Sequence, residues 1–347
     1  MKVFGVILAD KKVFIFLVCK IKQTSERGAI MNPKLRNNDY LYYIINKTNQ
    51  HNTDNISRTK AYQNFYMEFN EIKWAFIASM VSRNAGWNMT DLFLSPFQKI
   101  LSSDQNKQLF MTYERANWLI FSDAYPQLLV YKLSIQLNRS MFHLLPNLNV
   151  SQFMVQEWNN YWKDNDKERL MIALIINEQN IIQKPVIQQS YFKYHIFLRL
   201  PYLLQDFLFM NAIILPTRKS LLYGTYVHDF TNLSKRIDLG KRIASIMFKP
   251  MIYDRLLEFA HSIEHTGSRW DYEQFLGKQF EKGPLLRTVY PVITHQDIIR
   301  LDWYKRGGIK KKWMESSEDN LNSDVSQSFY KRRELLYAYY HLRNSIK

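Results

Sequence analysis

Ten glycines and ten prolines are all that punctuate this chain of 347 residues. So few breakers argue against a fold of many short strands joined by tight turns, because Gly and Pro supply most turn geometry. The elements must be long, and their period is read from the apolar residues. Leu170, Leu174, Ile175, Ile181 and Ile182 recur at spacings of three and four, as do Leu239, Ile243, Ile246 and Met247. The pattern predicts an all-α fold, a single multi-helix domain. Helices are expected near 59–83, 105–123, 127–141, 151–162, 168–183, 191–212, 236–249, 251–264, 270–277 and 327–344. Pro126 and Pro250 stand where the first turn of a helix tolerates proline. Residues 303–325 read as an exposed loop before the last helix. The chain has no internal repeat and no Gly-rich phosphate loop.

The N-terminal part breaks this rhythm. Residues 21–57 are polar, Asn-rich and poorly periodic, as a linker or flexible arm would be. Residues 1–54 are therefore expected to form a polar, partly flexible N-terminal extension, and residues 55–347 the helical domain. The apolar run VFIFLVC, 13–19, is too short to span a bilayer, and no small-residue cleavage site follows Cys19. A strand or an unstable extension is the expectation there. LPYLLQDFLFMNAIILP, 200–216, is longer, but Asp206 and Asn211 interrupt it and prolines bracket it. It reads as a buried helix rather than a membrane span. One cysteine rules out an intrachain disulfide and suits a reducing compartment, so a cytoplasmic protein is expected.

Aromatic residues make up 15% of the chain, which argues against disorder. The formal net charge is +16, and much of it sits at the two ends. Residues 1–50 hold nine basic and three acidic groups, and residues 301–347 hold ten and six. Lys305, Arg306, Lys310, Lys311 and Lys312 suit a polyanion-binding tail, and FYKRRELLYAYYHLR, 329–343, mixes basic with aromatic residues as nucleic-acid binders do. The plainer reading is a solvated terminus and an amphipathic helix with a basic outer face.

The stretch SRNAGWNMTDL, 82–92, carries more polar residues than the apolar run before it leads one to expect. Gly86 suits a left-handed helix stop, and Asn88 with Asp91 suits the start of the next helix. That reading leaves Arg83, Asn84 and Trp87 unexplained. With SRTKAYQNFY at 57–66, ERANWLIFSDAYPQLLVY at 114–131, ALIINEQNII at 173–182 and HTGSRWDY at 265–272, this stretch resembles an uncharacterised family of Bacillus-type bacteria, domain-of-unknown-function family 2515. The resemblance covers about residues 55–300. It implies a bacterial, cytoplasmic, single-domain protein, and it carries over no activity and no catalytic residue.

Polar residues on apolar helical faces are the remaining signal. Glu114 and Asn117 share a face with Phe110 and Phe121, and Glu178 lies in the stripe of Leu174, Ile175, Ile181 and Ile182. A carboxylate among apolar neighbours needs a partner, for which Arg58, Arg83, Arg115 and Arg269 are available. Buried ion pairs that fix helix register explain such carboxylates without a function. The functional alternative is an internal polar cleft for a small molecule, built from Arg83, Asn84, Trp87, Glu114, Asn117, Glu178 and Arg269. A metal-dependent enzyme is the next reading. HSIEH, 261–265, matches the inverted zinc-peptidase pattern, and Glu258 with His261 matches the Glu-x-x-His pair of dimetal bundles. Zinc, or iron and manganese, would then sit on Glu258, His261 and His265. His265 follows at the fraying end of its helix and no second Glu-x-x-His exists, so no cofactor is expected. His228 and Asp229 are another possible ligand pair. A basic nucleic-acid or protein-binding module is the third reading.

Overall fold

Each helix buries one apolar stripe, and the order of those stripes builds the core. The protein, seen in a computed structural model, is described over residues 36–189, 212–227, 229–276, 280–295, 302–305, 308–316 and 323–345. Over these residues it is mostly helical, as the spacing of its apolar residues predicts, with a small two-stranded sheet that the spacing does not. No helix among the described residues is long and apolar enough to cross a membrane.

Helix α1 (Asn37–His51) is followed by α2 (Asn55–Glu68) and α3 (Lys73–Asp91), the last two forming a hairpin around Phe69–Ile72. Asp54 caps α2 by accepting from the Ser57 backbone at 2.7 Å. Helix α4 (Ser103–Gln136) has 34 residues, about 50 Å at 1.5 Å per residue. Ser102 and Gln105 form its capping box. α4 packs on α1, α2 and α3, and on α6 (Lys167–Ile181), which follows α5 (Gln152–Asp164). The sheet pairs β1 (Ala212–Pro216) antiparallel with β2 (Leu222–Tyr226). β1 lies against α3 and α8 (Pro250–Ser262), and β2 against α7 (Leu233–Met247). Helix α9 (Ser326–Ser345) closes the described chain. Trp74, Trp87 and Trp158 are fully buried, and Tyr62 makes edge contacts with both Trp74 and Phe121 in the centre of the core.

Several expectations are corrected. Residues 37–51 are not a linker but helix α1, because Tyr40, Ile44 and Thr48 make a stripe at spacing four that buries against α4. Its many asparagines lie around that stripe and hide it. The expectations for residues 1–35, Cys19 among them, lie outside the described residues. The helix expected over 59–83 is two helices. The pair expected over 105–123 and 127–141 is one, running through Pro126. Proline removes one intrahelical bond there, and the burial of Tyr125, Leu128, Leu129 and Tyr131 outweighs that loss. The helix expected over 191–212 falls on residues outside the description up to 211. Residues 212–216, also read as helix, form a strand whose backbone is held by β2 and by α3. Residues 270–277 supply one helical turn, Trp270–Glu273. Within the loop 303–325, Lys311–Met314 form a turn of helix that buries Trp313, whose indole donates to Ser234 at 3.0 Å.

Helix α3 does not stop at Gly86. It runs on to Asp91, so Asn88 is mid-helix and not an N-cap. Gly86 serves a different purpose. A Cβ there would stand 2.5 Å from Asn55 Oδ1 and 2.7 Å from His265 Nε2. Those atoms hydrogen-bond to each other at 2.8 Å across the face of α3. Gly86→Ala is expected to lower stability by about 1–3 kcal/mol, the cost of overpacking outweighing alanine's better helix propensity. A thermal melt equal to or above wild type would show that this bond does not need the space over α3.

Candidate functional site

The polar residues of α3 leave the helix in two directions. On one side Arg83 donates to the carbonyls of Ala260 at 3.1 Å and Ile263 at 3.0 Å and to Gln63 Oε1 at 2.8 Å. The first two belong to the C-terminal end of α8, where carbonyls lack helical partners and the helix dipole is negative. Arg83 therefore caps α8 from outside. Burial pushes its guanidinium down to about 10, against the pull of Asp271. Trp87 donates to Asp271 at 3.0 Å, and Thr90 donates to the Gly267 carbonyl at 2.6 Å. Burial alone would raise the Asp271 carboxyl, but His265, Thr266 and Trp87 outweigh it and hold it below its usual range. Arg269 donates to Asp91 at 2.6 Å, to Asn88 at 2.8 Å and to the Tyr272 hydroxyl at 2.9 Å. These contacts staple the end of α8 and the segment after it, residues 260–272, to α3. They leave Arg83, Trp87 and Arg269 in structural positions.

Glu114 is also paired. Arg58 grips it with two bonds, at 2.5 and 2.9 Å, and His295 lies 3.1 Å from it. Burial alone would raise its pKa, but His295 and Arg58 outweigh burial and hold it low. The residues considered for a metal do not converge either. Glu258 is exposed and pairs with Arg218 at 3.2 Å, His261 is exposed, and His265 is buried between Asn55 and Asp271. Among the described residues no group of three or more His, Cys, Asp or Glu could hold a metal ion. His228 lies outside the described residues.

The other face of α3 borders a cavity of about 200 Å³. Ile77, Val81, Asn84, Ala85 and Asn88 line it, at the i, i+4, i+7, i+8 and i+11 positions of one helical face. Across from them stand Ala116, Asn117 and Ile120 of α4, Glu178 of α6, and Leu239 and Ile243 of α7. Asn84, Asn117 and Glu178 are thus the expected cleft residues that share one space. Asn84 pairs its whole amide with the β1 backbone, donating to the Ile214 carbonyl and accepting from its N–H, each at 2.7 Å.

Glu178 differs from Glu114. Trp74 Nε1 donates to its Oε2 at 3.1 Å and Gln179 Nε2 to its Oε1 at 2.9 Å, and no cation among the described residues pairs with it. It is only half-buried by surface area, yet the surface it keeps lines the cavity. Burial against the cavity wall pushes its carboxyl up to about 7, which the Gln179 and Trp74 hydrogen bonds only partly offset. Arg236, also on the cavity wall, reaches it through Gln179. The guanidinium donates to Gln179 Oε1 at 3.0 Å, to the Gln179 carbonyl at 3.1 Å and to Gln183. That contact fixes the amide so that its Nε2 faces Glu178. The sequence does mark both: Gln179 stands four residues after Ile175 and three before Ile182, and Arg236 three before Leu239 and seven before Ile243, so each is a polar residue on an apolar helical face, the same signal that singles out Glu114 and Glu178.

The model of the family described as a protein of unknown function (DUF2515) matches residues 50–331. The chain is 44% identical over 305 residues to YppC of Bacillus subtilis (strain 168), described as an uncharacterized protein; the match covers 88% of this chain and 95% of that one. No solved structure matches the chain. The motifs that carry the family resemblance, 57–66, 82–92, 114–131, 173–182 and 265–272, are the segments whose polar residues meet around α3, and the chain belongs to the DUF2515 family.

Proposed function

We propose that the protein binds a small, largely apolar molecule in the cavity between α3, α4, α6 and α7. The carrying observation is Glu178, a carboxylate on the wall of an otherwise mostly apolar space whose hydrogen-bond partners among the described residues are neutral. A concave apolar site with a few convergent polar groups and a perturbed carboxyl is the usual form of a ligand pocket. Asn84, Asn117 and Glu178 are its polar wall, and Arg83, Trp87, Glu114 and Arg269 form the frame that holds that wall. Residues 55–347, buttressed by α1, are the functional unit in this reading. A cytoplasmic setting is supported by the single cysteine.

A panel of one-ring aromatic and branched aliphatic compounds, neutral and charged, tests the reading by thermal shift. Ala116 faces the cavity, so Ala116→Phe places a ring in it. Binders are expected to raise the melting temperature of the wild type by a few degrees, through preferential binding to the native state, and to leave Ala116→Phe unmoved. Binders that shift both proteins alike would remove the cavity as their site, and a panel without binders would remove the reading.

A further inference from the structure

We infer that the cavity is built for an organic amine, whose ammonium group seats against the Glu178 carboxylate and whose apolar body is about the size of benzylamine. The inference rests on the binding reading above and names the class of ligand.

Of the six fully buried carboxylates among the described residues, four meet an arginine: Glu114 with Arg58, Asp91 with Arg269, Glu157 with Arg169 and Glu273 with Arg333, at 2.5 to 2.7 Å. Asp271 meets His265, and Asp123 accepts from Gln127 and Asn177; neither lines the cavity, as Glu178 does. Glu178 has two neutral donors instead, one on each oxygen. A carboxylate oxygen accepts more than one bond, so both keep acceptor capacity. Arg236 lies on the same cavity wall, but it orients the Gln179 amide that holds the carboxylate in place. Among the described residues, the site positions a carboxylate and sets no cation against it.

The donors of the wall are largely engaged. Asn84 Nδ2 donates to the carbonyls of Met80 and Ile214, Asn117 Nδ2 to that of Tyr113, Thr112 Oγ1 to that of Gln108, and Asn88 Nδ2 lies 3.4 Å from the Tyr113 hydroxyl. An occupant that meets Glu178 brings a donor to it. A cation brings the most, because an ionised carboxylate among apolar neighbours is costly until an opposite charge joins it. About 200 Å³ exceeds the roughly 150 Å³ that is enough for benzene in an apolar cavity. One ring or a branched chain with an aminomethyl group fits it. Because burial lifts Glu178 to about 7, the ammonium ion displaces a proton when it binds near neutral pH.

Titration calorimetry with benzylamine, benzyl alcohol and benzoate tests this on the full chain. At about pH 7.5, benzylamine is expected to bind at least about tenfold tighter than benzyl alcohol, with benzoate weakest, and Glu178→Gln should erase the difference. A second measurement needs no variant. Titrations in two buffers of different ionisation heat should find close to one proton released per benzylamine at about pH 6 and almost none at about pH 8.5. The affinity should climb about tenfold per pH unit on the acid side. Benzyl alcohol or benzoate binding as tightly as the amine, or amine binding without proton release, overturns the inference and leaves the cavity reading in place. If all three fail while other compounds of the thermal panel bind, the amine again falls alone. If nothing in the panel binds, both fall.

Discussion

Glutamine at position 114 is expected to cost about 3–5 kcal/mol of stability, and glutamine at position 178 close to nothing. Both glutamates interrupt apolar helical faces, yet their surroundings oppose each other. Glu114→Gln removes the charge that two Arg58 bonds and His295 face, and it strands a fully buried guanidinium. Glu178→Gln removes a charge that has no cationic partner among the described residues. Their pH dependences have opposite signs. The folded pKa of Glu114 is depressed, so its contribution is present above the ordinary carboxylate range and is lost as pH falls through the folded value. Glu178 is raised from 4.5 to about 7, so its favourable state is the protonated one, complete below 4.5 and lost as pH rises through 7. Wild type should therefore lose ground to Glu178→Gln between about pH 5 and pH 8, by at most roughly 3 kcal/mol. Urea midpoints of wild type and both variants at those two pH values check this. A loss of several kcal/mol at position 178 would mean that Glu178 is a structural ion-pair partner, and would take the central residue from the proposed pocket.

Arg269→Met is expected to lose about 3–5 kcal/mol as well, through a buried pair on the other side of α3. The guanidinium serves Asp91, Asn88 and Tyr272 together, and Asp91 outweighs burial to hold it charged. Methionine fills much of the same volume and supplies none of those bonds, so Asp91 is left buried without its cation. Asp91→Leu alone should do comparable harm by stranding Arg269. In the double variant neither charge remains, and its loss should fall short of the sum of the two by at least about 1 kcal/mol. Strict additivity in a denaturant cycle would mean that the two side chains do not act as a pair. Since Arg269 is one of the anchors of segment 260–272, protease cleavage should also appear first in that segment in the single variants.

What the sequence determined by itself was the class of the fold and the family. Scarce breakers and three-and-four spacing are local properties, and they survive any tertiary arrangement, so the helices at 151–162, 168–183, 236–249, 251–264 and 327–344 stand close to where the pattern sets them. The family motifs are contiguous and need no structure to match. The tertiary structure decided everything that depends on which side of a helix meets which neighbour. Gly86 has the local signature of a helix stop, but its role comes from Asn55 and His265, 31 and 179 positions away. Arg83, Asn84, Trp87 and Asn88 look like members of one polar cluster, yet 100° per residue sends Asn84 and Asn88 to the cavity and Arg83 and Trp87 to the segment beyond α8. Glu114 and Glu178 occupy the same kind of position in the pattern. Their difference is set by whether an arginine from another helix lies within reach, and periodicity along one chain segment carries no information about that distance.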